Sequence, residues 1–238
     1  MNKYLHTPLK IKKLPKGIPY IISNEAAERF SFYGMKGILV IYMTQYLFLT
    51  TGEANISEQN AKGYFHLFTS AVYFFPIFGA LISDIFFGKY KTIIALSLIY
   101  CLGHLVLAID PSILGLSLGL IFISIGSGGI KPCVSAHLGD QFSKTNSSFI
   151  SRAYSWFYIA INLGAFTSTL ITPYLLKHYS PTIAFAVPGV FMVLATLFFW
   201  AGRYKFIHIK PQGKKTLLEL KKSNNIKIIL KLLTIFIF

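Results

Sequence analysis

NEAAERFSFYG, residues 24–34, sets Glu25, Glu28 and Arg29 at the head of a stretch that stays apolar to about residue 48. A helix crossing the hydrocarbon core takes roughly 20 apolar residues, and an ionisable side chain inside it costs at least ~2.5–3.5 kcal/mol. Three such residues within about one turn do not persist on a lipid-facing surface. At helical spacing i, i+3 and i+4 they share one face, so both carboxylates reach the guanidinium. Repulsion and desolvation raise a carboxyl pKa while a cation lowers it, which makes this grouping a natural proton site. The same residues also fit a helix end solvated at the headgroups, because Pro15, Lys16 and Pro19 stand close by.

Composition decides the class. The chain is 54% hydrophobic and 13% charged, with 22 Phe and 14 Tyr, far too apolar for a soluble domain. It reads as an all-α, multispanning membrane protein. A net charge of +15 raises nucleic acid as a partner, and the placement of the cations excludes it. Eighteen of the 23 Lys and Arg fall in the tails and in alternate loops, three within spans and two on the opposite side. That is the positive-inside pattern rather than a nucleic-acid patch, and it predicts a cytoplasmic N-terminus. Cys101 and Cys133 both lie in apolar spans and imply no disulfide framework. The basic tail resembles the start of a signal peptide, yet the next segment carries two Glu and an Arg and lacks a small-residue cleavage site. A retained first helix is expected.

Six spans are predicted, at about 18–49, 59–87, 92–109, 112–138, 152–177 and 182–201. Asp110-Pro111 and Ser180-Pro181 read as tight turns, and the short loops make neighbouring helices antiparallel. The expected organisation is a tail at 1–17, a six-helix bundle at 18–201, a basic cytoplasmic linker at 202–225 and the start of a seventh helix at 226–238. Those last 13 residues cover only ~20 Å as helix, against a hydrocarbon core of ~30 Å. They read as a helix cut short or, with Lys227 and Lys231 at i, i+4, as an amphipathic surface helix.

From Glu25 onward the chain resembles the proton-dependent oligopeptide transporter family, a branch of the major facilitator superfamily. The residues that carry the resemblance are EAAERFSFYG (25–34), GALISDIFFGKYKTIIALSLIYCLG (79–103), GSGGIKPCVS (126–135) and YSWFYIAINLGAF (154–166). The family signature in the first helix reads ExxERFxYYG, so Phe32 stands where a Tyr is usual. The resemblance implies two six-helix halves with substrate between them, of which this chain matches the N-terminal one. The other half would come from the same gene or a separate chain.

By resemblance, Glu25, Glu28 and Arg29 form the proton-coupling cluster, and Lys131 pairs with Glu25 and then with a substrate carboxylate. Lys36 stands where the family usually has Arg, keeping the charge while losing the bidentate fork. Tyr33, Tyr73 and Tyr158 match substrate-lining tyrosines, and Asn162 matches the residue that bonds the peptide backbone. His66, two turns before Tyr73, is read either as a proton relay or as a neutral hydrogen-bonding residue. Asp84 is expected in the intracellular gate, paired with a basic residue or a helix terminus. His104 and His137 lack motif support and read as helix-end or packing residues.

No metal-ligand spacing, phosphate loop or nucleophile–base pair is evident, so neither an enzyme nor a cofactor is expected. The implied activity is proton-coupled symport of di- and tripeptides across a cell membrane, here the bacterial inner membrane, with protons as the coupling ion. The alternatives are transport of another small anion such as nitrate, and a truncated fragment that does not transport.

Overall fold

The computed structural model describes residues 4–213, so the expected seventh-helix start at 226–238 and most of the linker lie outside the described residues. The long helices are α1 (Ile18–Ile41), α3 (Glu58–Ile82), α4 (Lys89–Ile109), α5 (Ile113–Asp140), α6 (Ile150–His178) and α7 (Pro181–Ala201). A short α2 (Leu47–Thr51) follows α1 after a π-helical turn, so the first predicted span is one helical rod with a bulge. Gly52, at φ +76°, ends it in the left-handed region that glycine enters without a Cβ clash. A second π-helical turn, at Ser83–Phe87, closes α3. Serine side chains set two starts: Ser112 accepts from the Gly115 amide on α5, and Ser180 from the Ile183 amide on α7.

Five helical stretches, those built on α3 to α7, are long and apolar enough to cross a membrane. Helix α1 spans 24 residues, about 36 Å, but carries Glu25, Glu28, Arg29 and Lys36. It is tolerated because its neighbours cover it. Helix α1 packs against α6 and α7, α4 against α5 and α7, and α3 against α5.

Small residues permit these approaches. A Cβ on Gly79 of α3 would stand 2.2 Å from the Gly129 carbonyl of α5, and one on Gly164 of α6 would stand 2.3 Å from the Ala26 carbonyl of α1. Gly79 and Gly129 thus let α3 and α5 meet backbone to backbone.

At the end of the bundle that carries the tail, residues on both sides of the bundle in sequence are stitched together. The His208 amide donates to the Leu5 carbonyl at 2.7 Å, and the His6 imidazole donates to the His208 carbonyl at 2.9 Å. The Ile207 amide donates to Gln141 at 2.9 Å, while Gln141 donates to the His137 carbonyl at 2.9 Å. Asn146 reaches the Lys13 carbonyl, and Ser143 the Leu9 carbonyl. Phe206 is fully buried against His137 and Phe199. The segment after α7 is thus folded onto the bundle as far as it is described.

The structure corrects one part of the gate expectation, the pairing of Asp84 with a basic residue. Lys89 pairs with Asp140 at 2.7 Å, and among the described residues Asp84 makes no ion pair. Asp84 instead offers its backbone carbonyl to the Gln212 amide at 2.9 Å.

Candidate functional site

The site begins inside α1. Glu25, Glu28 and Arg29 are only 6%, 2% and 6% exposed, so they are not a solvated helix end. Arg29 Nε lies 3.0 Å from Glu25, its i, i+4 neighbour on one helix face, and 2.5 Å from the adjacent Glu28. Neither contact is aligned as a hydrogen bond, and Arg29 Nε and Glu28 Oε2 are both left without one. Ser127 of α5 donates to the other Glu28 oxygen at 3.4 Å. Two carboxylates share one guanidinium in a buried place, and the bonds there are incomplete. Such a group is costly to hold and sensitive to any charge that approaches it.

One turn along α1, Phe32 is the hub of the cations. Arg29 lies 5.9 Å from its ring centroid, Lys36 5.9 Å and Lys131 4.7 Å. Lys36 also stands 5.1 Å over Phe65, and Lys131 5.2 Å over Tyr73. A phenyl face attracts cations through its quadrupole without neutralising them. Three positive groups are therefore gathered on one ring, Arg29 engaged by the two carboxylates and, among the described residues, Lys36 and Lys131 by aromatic faces alone. The expectation that Lys131 rests on Glu25 is corrected: it sits on aromatic faces, and no ion pair to Glu25 forms. The physical reason is that Arg29 already occupies both carboxylates.

The remaining expected residues are brought in only partly. Tyr73 joins the group through Lys131, and Tyr33 meets Phe32 edge-on at 5.4 Å. Tyr73 and Tyr158 are 71% and 67% exposed, so both stand on an open face of the bundle. Tyr158 and Asn162 are not in contact with the cation group; the Asn162 amide donates to the Tyr158 carbonyl of its own helix at 2.8 Å. His66 is exposed and packs edge-on against Phe65.

Sequence reasoning missed Ser127, although it lies one turn before Lys131 in the same motif. His104, 1% exposed, packs on Tyr100, as one of its two readings has it, and its bond to Ser31 at 2.7 Å is one that sequence reasoning also missed. His137 does pack, against Phe199 and Phe206. No group of three or more potential metal ligands occurs among the described residues.

Comparison with known proteins adds to this geometry. A family model described as the POT family matches residues 90–237. Peptide transporter family 1 of Drosophila melanogaster is 42% identical over 214 residues, covering 84% of this chain and 28% of that relative. Human solute carrier family 15 member 2 is 41% identical over 214 residues, with the same two coverages of 84% and 28%. The crystal structure of the POT family transporter PepTSo superposes with a TM-score of 0.79 at 49% identity, covering 85% of this chain and 40% of that one. The chain thus spans under a third of the length of these two relatives.

Proposed function

We propose a function for this chain from one premise: it belongs to the POT family. It is a multi-pass helical membrane protein whose matched relatives are transporters by name. The reading we favour is that it supplies one wall of a proton-coupled transporter for di- and tripeptides, with its N-terminus cytoplasmic in a cell membrane. A further helical bundle would form the other wall, and the two would rock about substrate held between them.

One observation supports this most. Three cations converge on Phe32, one turn from two buried carboxylates that share Arg29. A peptide carboxylate arriving at Lys36 and Lys131 would compete for Arg29 with Glu25 and Glu28. The carboxylate left behind then holds a proton more readily, so substrate and proton load together. Release inside reverses the order. Exposed tyrosines such as Tyr73 and Tyr158 suit a ligand class that shares only termini and amide groups.

The test is uptake of a labelled dipeptide by the full-length protein in proteoliposomes. With an inwardly directed proton gradient, accumulation above the equilibrium level is expected, and a protonophore removes it. Accumulation that ignores the gradient would remove proton coupling. Nitrate is the discriminating competitor: if it is taken up while dipeptides are not, the cation group serves a small anion instead.

A further inference from the structure

Behind the ion cluster, away from the open face, lies a second polar layer that the transport reading does not use. His104 of α4 is 1% exposed, in a helix that also buries Thr92, Ser97 and Tyr100. Its Nε2 lies 2.7 Å from Ser31 Oγ, and Ser31 follows Glu28 by one turn of α1. Its ring stacks on Tyr100 with centroids 5.1 Å apart and planes at 22°. On the far side α7 presents only Gly189, where a Cβ would come within 3.0 Å of the His104 Cβ.

The layer is short of partners. His104 Nδ1, the Tyr100 hydroxyl and Ser97 Oγ are all buried without a hydrogen bond. A neutral imidazole has one donor and one acceptor nitrogen, so whichever tautomer serves Ser31, the other nitrogen is unsatisfied. The Tyr100 hydroxyl stands beside the Ser31 and Ser127 hydroxyls and within the fields of Glu28 and Arg29. Ser127 is the donor that already touches Glu28. Buried polar groups are nearly always paired, and a cluster left incomplete next to a group that changes charge has a second bonding pattern available.

Resting on the proton-coupled reading, we propose that His104 is a positioning residue for Glu28. By clipping Ser31 to α4 and backing the Tyr100 ring, it holds the Tyr100 hydroxyl where it becomes a donor to Glu28 once Arg29 is drawn away. When substrate draws Arg29 away, the protonated Glu28 can still discharge its proton inside, because the carboxylate that forms keeps a donor. The charged and titratable groups around Glu28 are Glu25 and Arg29 on α1, Tyr100 on α4 and Lys131 on α5, while α7 contributes none at Gly189.

The experiment uses the full-length protein in proteoliposomes, comparing gradient-driven uptake with counterflow exchange of labelled for unlabelled dipeptide across pH. His104→Leu and Tyr100→Phe should each move the alkaline limb of uptake to higher pH by about one unit, because the ionised carboxylate loses a donor. Counterflow should persist. His104→Gln, which still reaches Ser31, should restore most of the wild-type profile. Ser31→Ala should resemble His104→Leu, and the double variant should add nothing to either. If His104→Leu does not fold, Tyr100→Phe and Ser31→Ala carry the same test. Unmoved pH profiles in these variants, with wild-type uptake pH-driven, would overturn the positioning role. Wild-type uptake without pH dependence would instead sink the transport reading itself.

Discussion

Two polar regions of this molecule are built on opposite terms. Around Glu28 the groups are deeply buried and under-bonded: Arg29 Nε, Glu28 Oε2, Tyr100 OH and His104 Nδ1 all lack a hydrogen bond. At the end of the bundle near the tail, His6, His208, Gln141, Asn146, Lys89 and Asp140 each find a partner. The second region loses little by staying as it is. The first is held in place by surrounding helices and has alternatives within reach, as a site that changes charge must. The difference teaches that the polar core is where state can change, and that the tail clasp is where the bundle is held.

Breaking the comparison starts with the largest effect. Arg29→Ala would leave two carboxylates buried beside each other without a cation. Removing one partner of a buried pair costs about 3–5 kcal/mol, so the variant should lose most of its folded yield in detergent at neutral pH. Acidification should recover part of that yield, because protonation removes the uncompensated charge. Wild-type yield in Arg29→Ala would mean that the cluster is hydrated rather than buried.

Lys89→Ala removes the Asp140 contact, whose side chains are 21% and 18% exposed. Partial exposure lets water and salt screen the pair, so a loss of about 1 kcal/mol or less is expected, shrinking further at high salt. Thermal unfolding of the purified protein at two ionic strengths measures it. A loss as large as that of Arg29→Ala would erase the contrast between the regions.

The smallest effect is a pH response of the clasp. Burial, together with the neighbouring His6, holds the His208 imidazole below its ordinary value near 6.5, against the bond to the Arg203 carbonyl. The released ring titrates at the ordinary value and the docked one lower. Docking is therefore fully favoured above about 6.5 and weakens as pH falls through the docked value. Hydrogen exchange at the His208 amide, corrected for intrinsic rate, should show protection declining in that direction. Protection that rises on acidification would reverse the account of this contact.

Much of the bundle is legible from residues alone, for identifiable reasons. The Glu25, Glu28 and Arg29 cluster follows from helical spacing within one element, and the approach at Gly79 and Gly129 follows from small residues on facing helices. What escapes depends on partners distant in sequence. Ser31 is 73 positions from His104, and a lone histidine in an apolar span carries no sign of such a bond. Lys131 was expected on Glu25 because opposite charges pair, and a competing guanidinium on the same helix takes that place. Asp84 and Asp140 are both carboxylates that could serve Lys89, and only the packed helix ends decide between them. The clasp is invisible because short polar segments with no periodicity give no hint of what they meet.

The central claim, that the Glu28 carboxyl carries the coupled proton, is tested most directly by Glu28→Gln in the full-length protein. The glutamine keeps the size and a hydrogen-bonding oxygen for Ser127 but has no proton to exchange. Gradient-driven accumulation of dipeptide should be abolished while counterflow, which needs no net proton movement, continues. Accumulation in Glu28→Gln that still follows the imposed proton gradient as in the wild type would contradict the account.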